Sequence, residues 1–457
     1  MRLTHKVVAA SGAVALMLAA TACSGAGGGG AGGGGGGTED HSINVLMVNN
    51  PQMLALQKHI GEFEKESGIK VNFTVKPEND MRNQAATEFA NQSGQFDVAT
   101  LSNFEIPFYS KNGWLHSLED IQAYKDDKDF NQDDIFPSMT ASLKGPDGKL
   151  YGEPFYGESS FLMYRKDIMD KIGVTIPDNP TWDEVAAAAA KADGAEPGMK
   201  GICLRGLPGW GEVFAPLTTV VNTYGGTWFE KDWTPKVNAP EFKAAVSFYT
   251  DLVKTYGEAG AAQAGFAECL TATTQSKVAM WYDATSAAGS LEADDSPVKG
   301  KMAYAQAPVK MTKSSGWLYA WSWAIEKKSA KQDDAWKFIS WASSKKYEEL
   351  VGAQDGWATV PAGKRASTYA NADYKKAAGS FAEATLKAIQ AADPTNPGVQ
   401  PRPTVGIQFV DIPEFTDLGT KVSQDVSAVI AGKKTVDEAL ENGQKLAEVV
   451  AKKYQGQ

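Results

Sequence analysis

The segment Val278-Ala279-Met280-Trp281-Tyr282-Asp283-Ala284-Thr285 alternates like a buried strand through Val278 and Met280, then presents an indole, a phenol and a carboxylate together at the strand's end. In open α/β sheets, ligands sit outside the carboxyl ends of strands. A flat apolar face beside hydrogen-bonding groups suits a polyhydroxylated guest, whose CH side packs on the ring while its hydroxyls need paired donors and acceptors. Read alone, the segment also allows Trp281 to be core and Asp283 to cap a turn. A second stretch, Gly201 to Glu212, points the same way. Its glycines let backbone approach a guest closely, Arg205 offers a forked donor, and Trp210 offers a face.

A pair of carboxylates in an aromatic cleft is also the signature of an exported glycoside hydrolase, and Asp283 with Glu158 could be so arranged. Other chemistries find less support. His5, His41, His59 and His116 have no metal-binding spacing, and the chain has neither a G-x-S-x-G elbow nor a P-loop. Asp129-Phe130-Asn131-Gln132-Asp133 begins like a calcium loop, but Asp134 stands where glycine is needed and Thr140 where the closing Glu belongs, so it reads as a solvated acidic turn. No metal or other cofactor is expected. A formal charge of −10 without a Lys/Arg cluster argues against nucleic acid and against adhesion to anionic lipid through basic patches.

The elements that must position these groups can be traced along the 457 residues, enough for two sizeable cores. Arg2 and Lys6, an apolar run from Val7 to Ala19 and the small residues Ala20-Thr21-Ala22 read as an export signal over residues 1–22. Cleavage before Cys23 resembles processing at a bacterial lipoprotein box, with Ala20 where that pattern usually has Leu; a plain signal peptide with an idle thiol is the alternative. On the lipoprotein reading, residues 23–37 would be a lipidated cysteine followed by a glycine-rich tether with a reach of roughly 20 Å. Ile43 to Val48 and Lys70 to Val75 read as strands flanking a helix from Pro51 to Ser67, with Met53, Leu56, Ile60 and Phe63 on its buried face and Gly68 as its stop. A helix from Asp80 to Gln92 and a strand from Phe96 to Leu101 follow. This alternation predicts a largely parallel sheet covered on both faces. Asn50 and Asn103 follow the first and third strands, at positions suited to ligand contact or to turn chemistry.

Beyond Tyr151 a second unit begins. Glu158 lies in Phe155 to Ser160, before an apolar crossover segment Phe161 to Tyr164. Thr181 with Glu184, and Thr435 with Glu438, form capping boxes; Asn238 caps a helix ended by Gly257. Cys203 and Cys269 are an even pair in an exported chain. Their bond would pin the Arg205/Trp210 loop to the segment before Trp281, two free buried thiols being the alternative. Alternation puts Trp317, Tyr319, Trp321 and Trp323 on one strand face, of which one or two can line a pocket. A single helix is expected from Ala330 to Gly352, then a glycine-aromatic loop bearing Trp357, then helices at Ala382 to Ala391 and Thr435 to Tyr454.

Cys203 to Gly211, Thr218 to Trp228, Ala279 to Thr285, Asp355 to Pro361 and Gly406 to Phe415 together resemble extracellular solute-binding proteins of ABC sugar importers, nearest to the sorbitol/mannitol-binding type. The resemblance spans the chain from Ile43 onward. It implies an α/β fold of two lobes of the periplasmic-binding-protein kind, type II-like, joined by a hinge with the ligand in the cleft. Lobe one would comprise residues 38–154 plus about 316–361, and lobe two residues 155–315 plus about 362–457. It further implies that Asn50, Asn103, Glu158, Arg205, Trp210, Trp281, Asp283, Trp317 and Trp357 face the cleft, with ionised Asp283 and Glu158 accepting from hydroxyls while Arg205 donates. No covalent chemistry is required. The implied protein is a monomer, held by its lipid at the outer face of the bacterial cytoplasmic membrane, delivering a polyol or small sugar to a permease; a chemosensor would read the same closed lobes.

Overall fold

The computed structural model describes residues 41–456; the signal, Cys23 and the glycine tether lie outside the described residues. Among the described residues, nine strands form two sheets. In chain order they are β1 (Ser42–Val48), β2 (Lys70–Lys76), β3 (Val98–Ser102), β4 (Glu153–Glu158), β5 (Ser160–Arg165), β6 (Lys200–Cys203), β7 (Val278–Ala284), β8 (Met302–Gln306) and β9 (Tyr319–Ile325). The first sheet has the order β2-β1-β3-β9-β4 and the second β6-β7-β5-β8. Helix α1 (Pro51–Ser67) joins β1 to β2, and α2 (Glu78–Asn91) joins β2 to β3.

The opening βαβ unit forms for the reasons its pattern gives. Val45, Leu46, Met47 and Val48 are fully buried, because a parallel strand covered on both faces has no solvent side. Pro51 starts α1 where a missing N–H costs nothing, and Gly68 ends it at φ 74°. One position of its buried face differs from expectation: His59 is inside and Ile60 only partly so, since His59 Nε2 meets Asp355 Oδ2 at 2.5 Å.

Both sheets are mixed, not largely parallel. β9 runs antiparallel between β3 and β4, and β5 runs antiparallel to both β7 and β8. The cause is chain crossing: β4 ends at Glu158, Ser159 is the whole connection, and β5 begins the other sheet at Ser160. The chain returns between β8 and β9, inserting β9 into the sheet built by the first third of the sequence. Later the chain goes back again. Lys364 and Arg365 bond Glu348 and Asp134 on the first side, whereas the helix Ala382–Ala391 packs on β5 and β8.

Two helix expectations are corrected. The helix after Asn238 begins at Pro240 with Ala239 at its N-cap and no side-chain cap, because Pro240 supplies the start. The helix expected over Ala330 to Gly352 is two, Gln332–Ser343 and Lys345–Gln354, broken at Ser344, whose extended backbone and side chain, accepting from Tyr347 N, cap the second. Both capping boxes form as read.

Candidate functional site

The ends of β7, β6 and β4 converge on one enclosed polar network. β7 is buried at every residue, so Trp281 and Asp283 point into protein on one side of the sheet. Arg205, two residues past β6, lays its guanidinium edge-on against Asp283, with Nε to Oδ2 at 2.8 Å and Nη2 to Oδ1 at 2.6 Å. Asp283 Oδ2 also accepts from Trp281 Nε1 at 3.1 Å, and Oδ1 from its neighbour's Ala284 N at 2.7 Å. These four bonds use the acceptor positions a carboxylate has. Arg205 Nη1 donates to Gly211 O at 3.2 Å and to Glu212 Oε2 at 3.4 Å. Phe266 lies beneath both Arg205 and Trp281, its ring 5.3 Å from the guanidinium carbon and 5.4 Å from the indole.

The loop carrying Arg205 is fixed from below. Cys203 is bonded to Cys269 on the helix Phe266–Thr274, with their Cα atoms 5.6 Å apart, and Tyr249 Oη donates to Arg205 O at 2.7 Å. The expected glycine approach in this loop is real but has a different visitor. A Cβ on Gly211 would meet Glu78 Oε1 at 2.6 Å and Arg82 Nε at 3.0 Å, and one on Gly209 would strike Asn79. Helix α2 of the first side, not only a guest, occupies the space those glycines leave.

Glu158, the last residue of β4, faces this network. Its Oε2 accepts from Ser286 Oγ at 2.5 Å, and among the described residues nothing bonds its Oε1. Burial pushes its carboxyl up to about 8, the nearby Asp283 and Glu78 adding to that while Ser286 and Arg205 oppose it. Glu158 therefore holds a proton at neutral pH, contrary to the ionised acceptor expected. Burial, then Glu78, likewise pushes Glu212 up to about 8.

Asn50 joins this group through Tyr156, whose Oη accepts from its Nδ2 at 2.8 Å. Trp210 lies over the Arg82 guanidinium at 4.3 Å and packs on Phe104 at 4.5 Å and Phe409 at 4.9 Å. Trp317 is wholly buried just before β9, 6.2 Å from Tyr282, and its Nε1 has no partner among the described residues. Two expected residues stand apart. Asn103 spends its amide on Leu318 O and Ala320 N, bracing the start of β9 beside a mainly apolar groove of about 460 Å³. Trp357 packs on Gly352 at the edge of another groove of about 1000 Å³, with Lys58, Asp294 and Asp355.

Sequence reasoning missed the first side's contribution. Arg82 donates to Glu78, to Glu105 and to Tyr319 Oη, and lies between the rings of Trp210 and Trp321. In the sequence, Glu78 and Arg82 read as an ordinary i,i+4 surface pair. Of the aromatic stripe, Tyr319 and Trp321 reach Arg82 while Trp323 is core against Phe155 and Phe338. Asp283 is an unsuitable nucleophile, because both oxygens are committed to Arg205; this removes the physical basis of the hydrolase alternative. Among the described residues, no group of three or more His, Cys, Asp or Glu is arranged to hold a metal ion.

Known proteins resemble this chain over most of its length. Residues 49–349 match the family model described as bacterial extracellular solute-binding protein. A mannitol-binding protein of Pseudomonas aeruginosa is 39% identical over 403 residues, covering 87% of this chain and 90% of its own. An erythritol/L-threitol-binding protein of Mycolicibacterium smegmatis is 26% identical over 335 residues, 69% of each chain. The crystal structure of an ABC transporter solute-binding protein from Agrobacterium vitis with bound D-mannitol superposes with a TM-score of 0.87 at 43% identity, covering 90% of this chain and 98% of that one. The two sheets with their helices are thus the two lobes of a periplasmic-binding-protein fold, and the chain belongs to the bacterial extracellular solute-binding protein family.

Proposed function

We propose that this protein is the lipid-anchored receptor of an ABC importer, capturing a linear polyol of the mannitol kind by closure of its lobes and delivering it to a membrane permease. The observation that carries the reading is the Arg205–Asp283 pair, edge-on and buried, beside Trp281 and the open Oε1 of Glu158. Supporting it are the ligands named for the relatives: mannitol, D-mannitol, and erythritol or threitol.

In this mechanism Asp283 is a positioning residue that holds the Arg205 fork flat. One N–H of Arg205 Nη2 remains for a hydroxyl oxygen, and Glu158 can both donate and accept at the same guest. Trp281, Trp210 and Trp317 supply apolar and N–H surface, and Asn50 reaches the guest from the first lobe. Asn103 and Trp357 would act at the rims of the cleft. Lobe one is built on the first sheet and lobe two on the second, with Ser159 and the β8–β9 connection as hinges. A guest bonded to both lobes favours the closed state, which the permease reads; no bond in the guest is broken. Cys23 carries the lipid, and the protein acts as a monomer.

Titration of intrinsic tryptophan fluorescence with linear polyols, monosaccharides and disaccharides tests the reading. Saturable quenching or enhancement by one hexitol, with the hexitol recovered intact, is expected. A response to disaccharides alone, or appearance of a hydrolysis product, defeats it.

A further inference from the structure

The groove beside Asn103 is a cavity that the Arg205–Asp283 network does not use. One wall belongs to the first side, with Asn103, Phe104, Tyr319 and the helix Pro137–Ser142; the other is the segment 392–411, with Gln408 and Phe409. That segment is held to the second side. Asn222 Nδ2 donates to Ile407 O at 2.9 Å, Arg402 Nη2 to Asn222 Oδ1 at 2.8 Å, and Gly406 N to Pro394 O at 2.8 Å. Pro394, Pro397, Pro401 and Pro403 further limit its conformations, so little ordering is left for a guest to impose. The groove also abuts the loop that carries Arg205. Phe104 and Phe409 both pack on Trp210, at 4.5 and 4.9 Å, and Tyr319 Oη accepts from Arg82 Nη2 at 2.5 Å.

We propose that this groove is a subsite for a pyranosyl ring attached to the polyol, so that the protein binds glycosyl-hexitols as well as free hexitols. The proposal rests on the polyol reading and widens its substrate class. Two features select a sugar ring. Phe104, Tyr319 and Phe409 line the groove with aromatic carbon, the surface on which the CH groups of a pyranose pack. Gln408 is only 5% exposed, and its amide has no hydrogen-bond partner among the described residues. A buried amide without a partner is unfavourable, and ring hydroxyls would satisfy both its donors and its acceptor. Asn103 adds to this, since it gives one Nδ2 hydrogen to Leu318 O and keeps the other. A lipid tail or an apolar side chain would leave the Gln408 amide unanswered. The volume of about 460 Å³ falls within the roughly 300–1,000 Å³ of small-molecule sites.

The test is calorimetric titration of the purified protein with D-mannitol and with 1-O-α-D-glucopyranosyl-D-mannitol, for the wild type, Gln408→Leu and Ala141→Trp. The first variant keeps bulk and removes the amide; the second fills the groove from an exposed position of the helix Pro137–Ser142. Expected are saturable heat with both compounds in the wild type and a glucoside affinity at least equal to that of mannitol. Each variant should weaken the glucoside by about tenfold or more while mannitol stays within about threefold of its wild-type affinity. Mannitol binding with a glucoside weaker by more than about tenfold in the wild type overturns the subsite and leaves the polyol reading standing; this arm holds even if a variant fails to fold. A tightly bound glucoside that neither folded variant weakens overturns the placement in this groove. Silence with mannitol and every other neutral hexitol overturns the polyol reading and the subsite with it.

Discussion

Asp283 and Arg205 are both buried, and each is the other's principal partner. Removing one partner of a buried ion pair costs more than the pair contributes, because a desolvated charge is left behind. Asp283→Ala should therefore lower unfolding free energy by about 3–5 kcal/mol, read by urea denaturation; a loss under about 1 kcal/mol would show that Glu212 alone can hold Arg205. The buried acids give a pH signature of opposite sign to ordinary salt-bridged carboxylates. Glu158 and Glu212 are raised from 4.5 to about 8 on folding, so between those values the native state binds the extra protons. Stability is then fully present below the unfolded value and is lost as pH rises through about 8. The slope is up to about 1.4 kcal/mol per pH unit for each group. Chemical denaturation at intervals from pH 5 to 9 should show this decline, and Glu158→Gln should make it shallower. A profile that rises with pH over that range contradicts the burial of a protonated Glu158.

Elements with local signals were legible in the sequence: α1 with its Pro51 start and Gly68 stop, β7 with its closing Trp281 and Asp283, and the capping boxes at Thr181 and Thr435. The break at Ser344 was not, since the apolar pattern runs on through it and only tertiary packing selects its extended backbone. The antiparallel placement of β9 is likewise non-local, set by a return across the whole second sheet. The same logic divides the site. Trp281 and Asp283 lie on β7 and Arg205 just past the neighbouring β6, so they could be read together, but Glu78 and Arg82 reach them from α2, on the side of the other sheet. The Cys203–Cys269 bond belongs to this scale, because it ties β6 to the helix Phe266–Thr274 across a separation of 66 residues. In the chain-entropy model such a closure contributes about 4 kcal/mol. Urea melts of a Cys203→Ser/Cys269→Ser variant should show a loss approaching that size, and coincident melts for the variant and the wild type would count against it.

In the structure α2 lies against the 205–212 loop, so much of the contact between the sides built on the two sheets is made by the protein itself. Asn79 Nδ2 donates to Pro208 O at 2.9 Å, Gln52 Nε2 to Ser286 O at 3.1 Å, and Arg82 lies on Trp210. A guest need supply only the difference between open and closed states, since affinity for a two-state receptor scales with how readily the binding-competent state is reached. Gly211 is the place to alter that difference without touching either lobe's core. Its φ lies outside the left-handed region, so alanine fits the loop's backbone, yet the added Cβ would meet Glu78 Oε1 at 2.6 Å and Arg82 Nε at 3.0 Å. Overpacking of this kind costs about 1–3 kcal/mol, and here the cost falls on the closed state alone. Gly211→Ala should therefore weaken polyol binding by roughly 5- to 150-fold while leaving the melting temperature of the unliganded protein within a few degrees. Small-angle scattering with saturating polyol should show the variant more open than the wild type. A variant that binds and compacts like the wild type would mean that α2 and this loop do not meet in the liganded molecule, and that closure follows another hinge path than the one through Ser159.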